Sequence, residues 1–300
     1  MKLLLCGSFD AGEEELWREA LATALPEAQL LGREAGLREA DAVVAAIVAN
    51  PPPGSLQGLP GLKLIQSLWA GVDRLLADTT LPPDVPLARM VDPAMNAAMA
   101  ETALWAVLSL HRGFFRYARQ QREGRWHALP QRRADEVPVL VLGQGQMGRT
   151  AATRMAQQGY PVTGWRRDGR PLTPLLAQAQ VVINLLPLTP ATRGVMNAGF
   201  FAALPRGAGV VNLARGAHVV DADLLAALDS GQVGQAVLDV FHSEPLPAGH
   251  RYWQHPNVTV LPHAAAATDP RSAAAVAAAN VRAALAGRPP ANLVERRRGY

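Results

Sequence analysis

One stretch, VPVLVLGQGQMGRTAATRMAQQG at residues 137–159, constrains this chain more than any other. Val139 to Leu142 is a short apolar run that reads as a buried strand. Gly143, Gly145 and Gly148 follow at once in G-x-G-x-x-G spacing, and a helical pattern then runs from Gln146 to Gln158 and stops at Gly159. The spacing alone is weak; set between a strand and a helix it predicts a dinucleotide-binding turn. Gly143 permits the tight turn, Gly145 lets backbone approach a pyrophosphate, and Gly148 lets helix and strand pack closely. Gln146 and Met147 lie in the first helical turn, where free N–H groups and the positive end of the helix dipole favour phosphate.

The rest of the chain repeats this βα rhythm. Strands are expected at Lys2 to Cys6, Ala42 to Val48 and Leu62 to Ser67. A second series is expected at Val162 to Trp165, Val181 to Leu186, Gly209 to Leu213, Val237 to Val240 and Val258 to Leu261. Helical patterns lie between them, at Glu13 to Leu25 and Ala222 to Ser230 among others. Pro93 to Gln121 reads as one or two long helices, and Gln120 to Glu136 as an exposed, Arg-rich arm. Asp269-Pro270 is a helix start, with an N-cap acid and Pro at N1. Such alternation predicts an α/β protein with parallel sheets. At 300 residues and 49% hydrophobic, the chain has enough material for two domains.

Composition narrows the function classes. Cys6 is the only cysteine, so an internal disulfide framework and a multi-cysteine zinc site are excluded, and no metal is expected. A reducing, cytoplasmic setting is the simplest reading. The N-terminus reads as a first strand rather than a signal peptide, and no apolar run is long enough for a membrane span. The net charge is +4, but the basic residues are scattered, so nucleic acid is not expected as a partner. A mild positive excess suits a small anionic ligand.

The strand after the glycine loop reports on the cofactor. An NAD site usually places an acid about 20 residues on, to bond the ribose 2′-hydroxyl. Here the sequence reads Gly164-Trp165-Arg166-Arg167. Two guanidinium groups suit a 2′-phosphate, so NADP(H) is favoured. Asp168, past the expected position, keeps NAD(H) open.

Three later segments, VVNLARGAHVVDADLLAALDSG, AVLDVFHSEPLP and WQHPNVTVLPHAAAAT, join VVINLLPLTPATRGVMN in a fixed order. Together they resemble the dinucleotide half of the D-isomer-specific 2-hydroxyacid dehydrogenase family, most closely its glyoxylate/hydroxypyruvate reductase A type. The likeness extends over nearly the whole chain. It implies a Rossmann-type doubly wound sheet plus a flavodoxin-like substrate domain, with a cleft between them. The expected boundaries are 1–95 with 272–300 for the substrate domain, and 96–271 for the dinucleotide domain.

Carried over by position, the resemblance implies Arg215, Glu244 and His263 as the catalytic set. The chemistry needs these types. Reduction of a 2-oxoacid takes a hydride from nicotinamide and a proton for the forming alkoxide, and histidine is the natural donor near neutral pH. A paired carboxylate fixes the imidazole ring and favours its charged form. An arginine binds the substrate carboxylate and polarises the ketone oxygen. The same resemblance implies that Ala70, Gly71 and Val72 present N–H groups to the carboxylate. Leu186, Pro187, Thr192, Leu213, Ala214 and Ala265 line the cofactor, and Asp239 lies near the nicotinamide. Trp126 matches a tryptophan on an arm that crosses a homodimer in related reductases; closing the partner's active site and serving as a plain interface aromatic both stay open. The remaining histidines read as helical (His111) or as loop and surface residues (His127, His218, His242, His250, His255).

One departure concerns the pocket wall. The reductase A type carries an aromatic residue before the Pro pair, where this chain has Ala49-Asn50-Pro51-Pro52. Loss of that bulk opens the expected pocket to 2-oxoacids larger than glyoxylate. Two other readings stay open at this stage: a formate- or phosphite-type dehydrogenase on the same fold, and a non-catalytic dinucleotide sensor.

Overall fold

The computed structural model describes residues 1–300, except for the side chain of Ala11. The chain divides into two compact units, Met1–Met95 with Thr268–Tyr300, and Asn96–Ala267.

The first unit runs β1 (Lys2–Gly7), α1 (Ala11–Ala24), β2 (Gln29–Leu31), α2 (Arg33–Arg38), β3 (Val43–Ala49), β4 (Leu64–Ser67), α3 (Asp73–Leu76) and β5 (Leu87–Ala88). These strands form one parallel sheet in the order β2-β1-β3-β4-β5. That order is flavodoxin-like, with its topological switch between β1 and β3. The α4 helix (Pro93–Arg112) then takes the chain onward, and the division between the units falls inside it.

The second unit continues with α5 (Phe114–Arg122), β6 (Val139–Leu142), α6 (Gln146–Gln157), β7 (Val162–Trp165), α7 (Thr173–Leu176) and β8 (Val181–Asn184). It goes on through α8 (Ala198–Ala202), β9 (Ala208–Asn212), α9 (Asp221–Asp229), β10 (Val233–Leu238) and β11 (Val258–Val260). Its parallel sheet has the order β11-β10-β9-β8-β6-β7, doubly wound about a switch between β6 and β8. Finally α10 (Pro270–Leu285) lies in the first unit.

Side-chain alternation explains why the second sheet is covered on both faces. Val139, Val141, Val181, Ile183, Val211 and Val237 pack with Ala103, Val107 and Met155 from α4 and α6. Their strand neighbours Leu140, Leu142, Val182, Val210 and Leu238 point the other way, onto Phe200, Phe201, Leu224 and Leu228 of α8 and α9. In the first unit α10 buries a stripe of Ala273, Ala274, Ala277 and Ala278. Small residues let that helix approach closely enough for Asn280 Nδ2 to donate to Gln66 Oε1 of β4 at 2.7 Å, both side chains buried. The α10 start forms as read: the Asp269 side chain caps Arg271 N, and Pro270 stands at N1.

Several elements depart from the sequence reading. The expected arm starts as helix, since α5 reaches Arg122 and Gln120 is buried; Arg125 to Arg133 has no regular structure. β10 begins four residues early, at Val233, where Gly234 breaks the apolar run that marks a strand. β2 and β5 were not expected at all. They are three and two residues long and lie at the two edges of their sheet, too short to show a period.

Candidate active site

The glycine loop leaves the carboxyl end of β6, at the switch point of its sheet, where open α/β sheets bind ligands. Gly143 takes a φ of +95°, and its N–H donates to Trp165 O at 2.8 Å. A Cβ at Gly148 collides with the Gly143 carbonyl, which makes a glycine obligatory there. A Cβ at Gly145, by contrast, meets nothing within 4 Å. The first α6 bond is Arg149 N to Gly145 O at 3.0 Å, so the N–H groups of Gln146, Met147 and Gly148 have no intrahelical acceptor. An open space faced by a helix N-terminus fits a dinucleotide pyrophosphate.

At the end of β7, Arg166 Nε is paired with Asp168 Oδ2 at 2.8 Å, and that exposed carboxyl is held below its ordinary range by the guanidinium. Arg167 Nη1 donates to Ala191 O. The arginine is thereby brought to the turn that holds Thr192, whose buried hydroxyl donates to Pro187 O at 2.7 Å and accepts from Thr189 N at 2.8 Å. Asp168 thus lies beside Arg166, not at the strand end.

Beneath the neighbouring loops runs a buried polar chain that the sequence reading missed. Asn184 and Asn212 end β8 and β9, and both are fully buried. Asn184 Nδ2 donates to Asn212 Oδ1 at 3.0 Å and lies 3.0 Å from His218 Nδ1. The same amides set the loops above them. Asn184 Oδ1 accepts from Leu186 N, and Asn212 Oδ1 from Ala214 N, both at 3.2 Å; Asn212 Nδ2 donates to Arg215 O at 2.9 Å. His218, expected as a loop or surface residue, lies between β9 and α9 but is completely buried, and stands 3.3 Å from Pro187 O. Its role is to hold the Leu186–Pro187 and Leu213–Arg215 turns in register. The repeated pattern of an Asn at the carboxyl end of an apolar strand was the available signal.

The carboxyl end of β10 positions the remaining pair. Asp239 is 1% exposed and accepts from Ala264 N at 2.7 Å and Ala265 N at 3.1 Å. Its own carbonyl accepts from His263 N at 2.9 Å. These bonds hold His263 in the left-handed region, at φ +55°, a conformation costly for a residue with a Cβ. The imidazole Nδ1 then lies 2.8 Å from Glu244 Oε2, while Glu244 Oε1 accepts from Phe241 N at 2.9 Å. One carboxylate therefore orients the ring and closes its own loop, and Nε2 is left for other chemistry. Arg215 follows β9, and its Nη1 donates to Ala214 O at 2.7 Å. A Cβ at Gly216 collides with the Phe241 backbone, so the Arg215 and Glu244 loops pack against each other. Asp239 is thus a scaffold for the histidine loop, and Ala265, 3% exposed, is one of its anchors.

In the first unit, Ala70, Gly71 and Val72 follow β4 after Leu68 and Trp69. Among the described residues their N–H groups donate to no acceptor, which is the arrangement an anion-binding turn requires. Asn50, one residue past β3, adopts φ +45° with its Oδ1 buried and unpartnered. Trp126 is wholly exposed. Among the described residues no cluster of three or more His, Cys, Asp or Glu forms a metal site, and no helix is long and apolar enough to cross a membrane.

Residues 104–265 match the D-isomer specific 2-hydroxyacid dehydrogenase NAD binding domain. The glyoxylate/hydroxypyruvate reductase A of Serratia proteamaculans is 39% identical, covering 100% of both chains. A D-isomer specific 2-hydroxyacid dehydrogenase from Xanthobacter autotrophicus, solved with NADPH and MES, superposes with a TM-score of 0.94 at 42% identity, covering 100% of this chain and 99% of that one. The NADPH-dependent glyoxylate/hydroxypyruvate reductase of Sinorhizobium meliloti, solved with NADP and sulfate, gives a TM-score of 0.92 at 33% identity, covering 100% and 99%. The chain therefore belongs to the D-isomer specific 2-hydroxyacid dehydrogenases, NAD(P)-dependent oxidoreductases that interconvert 2-oxoacids and D-2-hydroxyacids.

Proposed function

We propose that this protein reduces small 2-oxoacids with NADPH, and that Arg215, Glu244 and His263 carry the reaction. The observation that bears most weight is the imidazole–carboxylate pair at 2.8 Å on a loop fixed by buried Asp239. A lone surface histidine has no need of a strained backbone and of two following N–H groups anchored on a buried carboxylate.

When bound, the nicotinamide supplies the hydride to the carbonyl carbon. The residues of this chain do the rest. The Ala70–Val72 turn and Arg215 bind the substrate carboxylate, and the Arg215 guanidinium stabilises negative charge as it grows on the ketone oxygen. His263 delivers the proton from Nε2 to that oxygen and becomes neutral; Glu244 holds Nδ1 so that Nε2 stays aimed. Gly143, Gly145, Gln146, Met147 and Gly148 receive the pyrophosphate, and Leu186, Pro187, Thr192, Leu213, Ala214, Asp239 and Ala265 line the remainder. Arg166 and Arg167 would hold a 2′-phosphate through charge-assisted bonds.

Glyoxylate or hydroxypyruvate is the favoured substrate in this reading, and the absence of an aromatic residue before Pro51 would admit a larger analogue. A homodimer and a cytoplasmic setting belong to the same proposal. The dimer is supported by Trp126 and by the exposed Trp105 and Phe114; the setting is supported by the free, buried Cys6. The test is a panel of 2-oxoacids, formate and phosphite with each cofactor, followed by chiral analysis of the glycerate formed from hydroxypyruvate. D-glycerate with NADPH is expected. L-glycerate, or turnover of formate or phosphite alone, overturns the proposal.

A further inference from the structure

Arg89 is a half-buried cation that nothing in its surroundings neutralises. Its guanidinium has no hydrogen-bond or ion-pair partner among the described residues. Burial pulls its pKa below the ordinary value, and no neighbouring charge offsets that pull. Arginine stays protonated under such a pull, so the shift measures the cost of desolvating a permanent charge. Folded proteins rarely carry that cost for packing alone, since a shorter apolar side chain fills the same space without it.

Its place in the fold says what the charge serves. In the β4–β5 ladder, Ile65 stands opposite Leu87 and Gln66 opposite Ala88. Pairing continues past the strand, because Met90 N donates to Trp69 O at 3.0 Å, and Trp69 is the residue before Ala70. Leu87 and Ile65 pack with Val72 on one face of the sheet, while Gln66 faces α10 through Asn280. By the two-residue period of a strand, Arg89 shares the face of Leu87 and Val72. It therefore sits at the carboxyl edge of the sheet, one strand away from the Ala70–Val72 turn and on the face occupied by that turn's last residue.

We infer that Arg89 selects 2-oxoacids that carry a second carboxylate, pairing with the distal group while the Ala70–Val72 turn holds the one beside the ketone. The inference rests on the 2-oxoacid reductase reading. In that reading the carboxylate beside the ketone already has its ligands, so a monoanionic substrate leaves Arg89 unpaired. A dianion balances it, and a planar guanidinium suits a carboxylate through two parallel bonds. The reaction itself is unchanged: hydride and proton add across the ketone, and a 2-hydroxy diacid leaves.

The test compares oxaloacetate with 4-methyl-2-oxopentanoate, whose two methyl groups replace the two distal oxygens at nearly the same shape. The readout is the ratio of kcat/KM for the two substrates within one enzyme preparation, so that a misfolded fraction cancels. The wild type is expected to favour oxaloacetate, and Arg89→Gln to lower the ratio about 10- to 100-fold, as loss of a charge-assisted pair does. Arg89→Lys is expected to fall between, keeping the charge but not the fork. A ratio unchanged in Arg89→Gln, with both substrates slowed alike, overturns the inference and makes Arg89 structural or a second ligand for the first carboxylate. A wild type that reduces glyoxylate but prefers the methyl isostere also overturns it, leaving the reductase reading intact. A wild type that reduces no 2-oxoacid overturns both.

Discussion

Glu244→Gln separates orientation of the histidine from its mere presence. Glu244 makes two bonds, one to His263 Nδ1 at 2.8 Å and one from Phe241 N at 2.9 Å. Gln has a single carbonyl oxygen, so its NH₂ group must face one of these N–H donors. A hydrogen bond to a charged group contributes about 1.5–3 kcal/mol. The His263 and Glu244 side chains are 51% and 32% exposed, so solvent screens the pair and lowers that contribution to about 1–2 kcal/mol. At 1.4 kcal/mol per factor of ten, that is a loss of about 5- to 30-fold in kcat. The assay is steady-state oxidation of NADPH by glyoxylate, with the cofactor Kd measured separately by fluorescence. The loss belongs in kcat, because the ring acts on the proton in transit and not on the bound ground state. A kcat within twofold of wild type, or a loss carried entirely by KM, refutes the positioning argument.

Three further outcomes follow from the same geometry. Asp239→Asn sets an amide NH₂ against Ala264 N or Ala265 N in a buried site; at about 1–3 kcal/mol the Tm should drop by about 3–10 °C, and an unchanged melting curve contradicts the scaffold role. Replacing Arg166 and Arg167 together by Ala should weaken NADPH by about 10- to 100-fold while leaving NADH within a few-fold, as loss of charge-assisted phosphate bonds predicts; equal losses count against a 2′-phosphate site. The Asp269 carboxyl is pushed down to about 2 by Arg271 and by the α10 N-terminus. With its folded pKa below the unfolded one, its contribution is present above the ordinary carboxylate range and is lost as pH falls through about 2. The Tm gap between wild type and Asp269→Ala should therefore close in strong acid, and a gap that stays constant argues against the cap.

The parts of this molecule that were legible in the sequence are those fixed by local backbone needs. Gly143 and Gly148 announce their turn because no other residue fits the φ and the close approach found there. Asp269 and Pro270 announce α10 because capping is decided within four residues. The His263–Glu244 contact spans 19 residues and was reached only through resemblance; no spacing rule connects them. The Asn184–Asn212–His218 chain left only a faint mark, an Asn closing each of two apolar strands: polar residues next to loops suggest solvent, and only the assembled sheet buries them. β5 could not be read because its ladder depends on β4 and on the tail, where Ala88 bridges Leu293. Arg89 stayed unread with it, since a lone arginine shows its missing counter-ion only once its neighbours are placed.

The catalytic claim is tested most directly by a single-turnover experiment. Wild type and His263→Ala are loaded with NADPH, mixed with glyoxylate and followed by loss of reduced cofactor, with cofactor affinity titrated alongside. Equal cofactor affinity and a variant rate slower by about 100-fold or more are expected when a general acid is removed. A variant that oxidises bound NADPH at the wild-type rate contradicts the account.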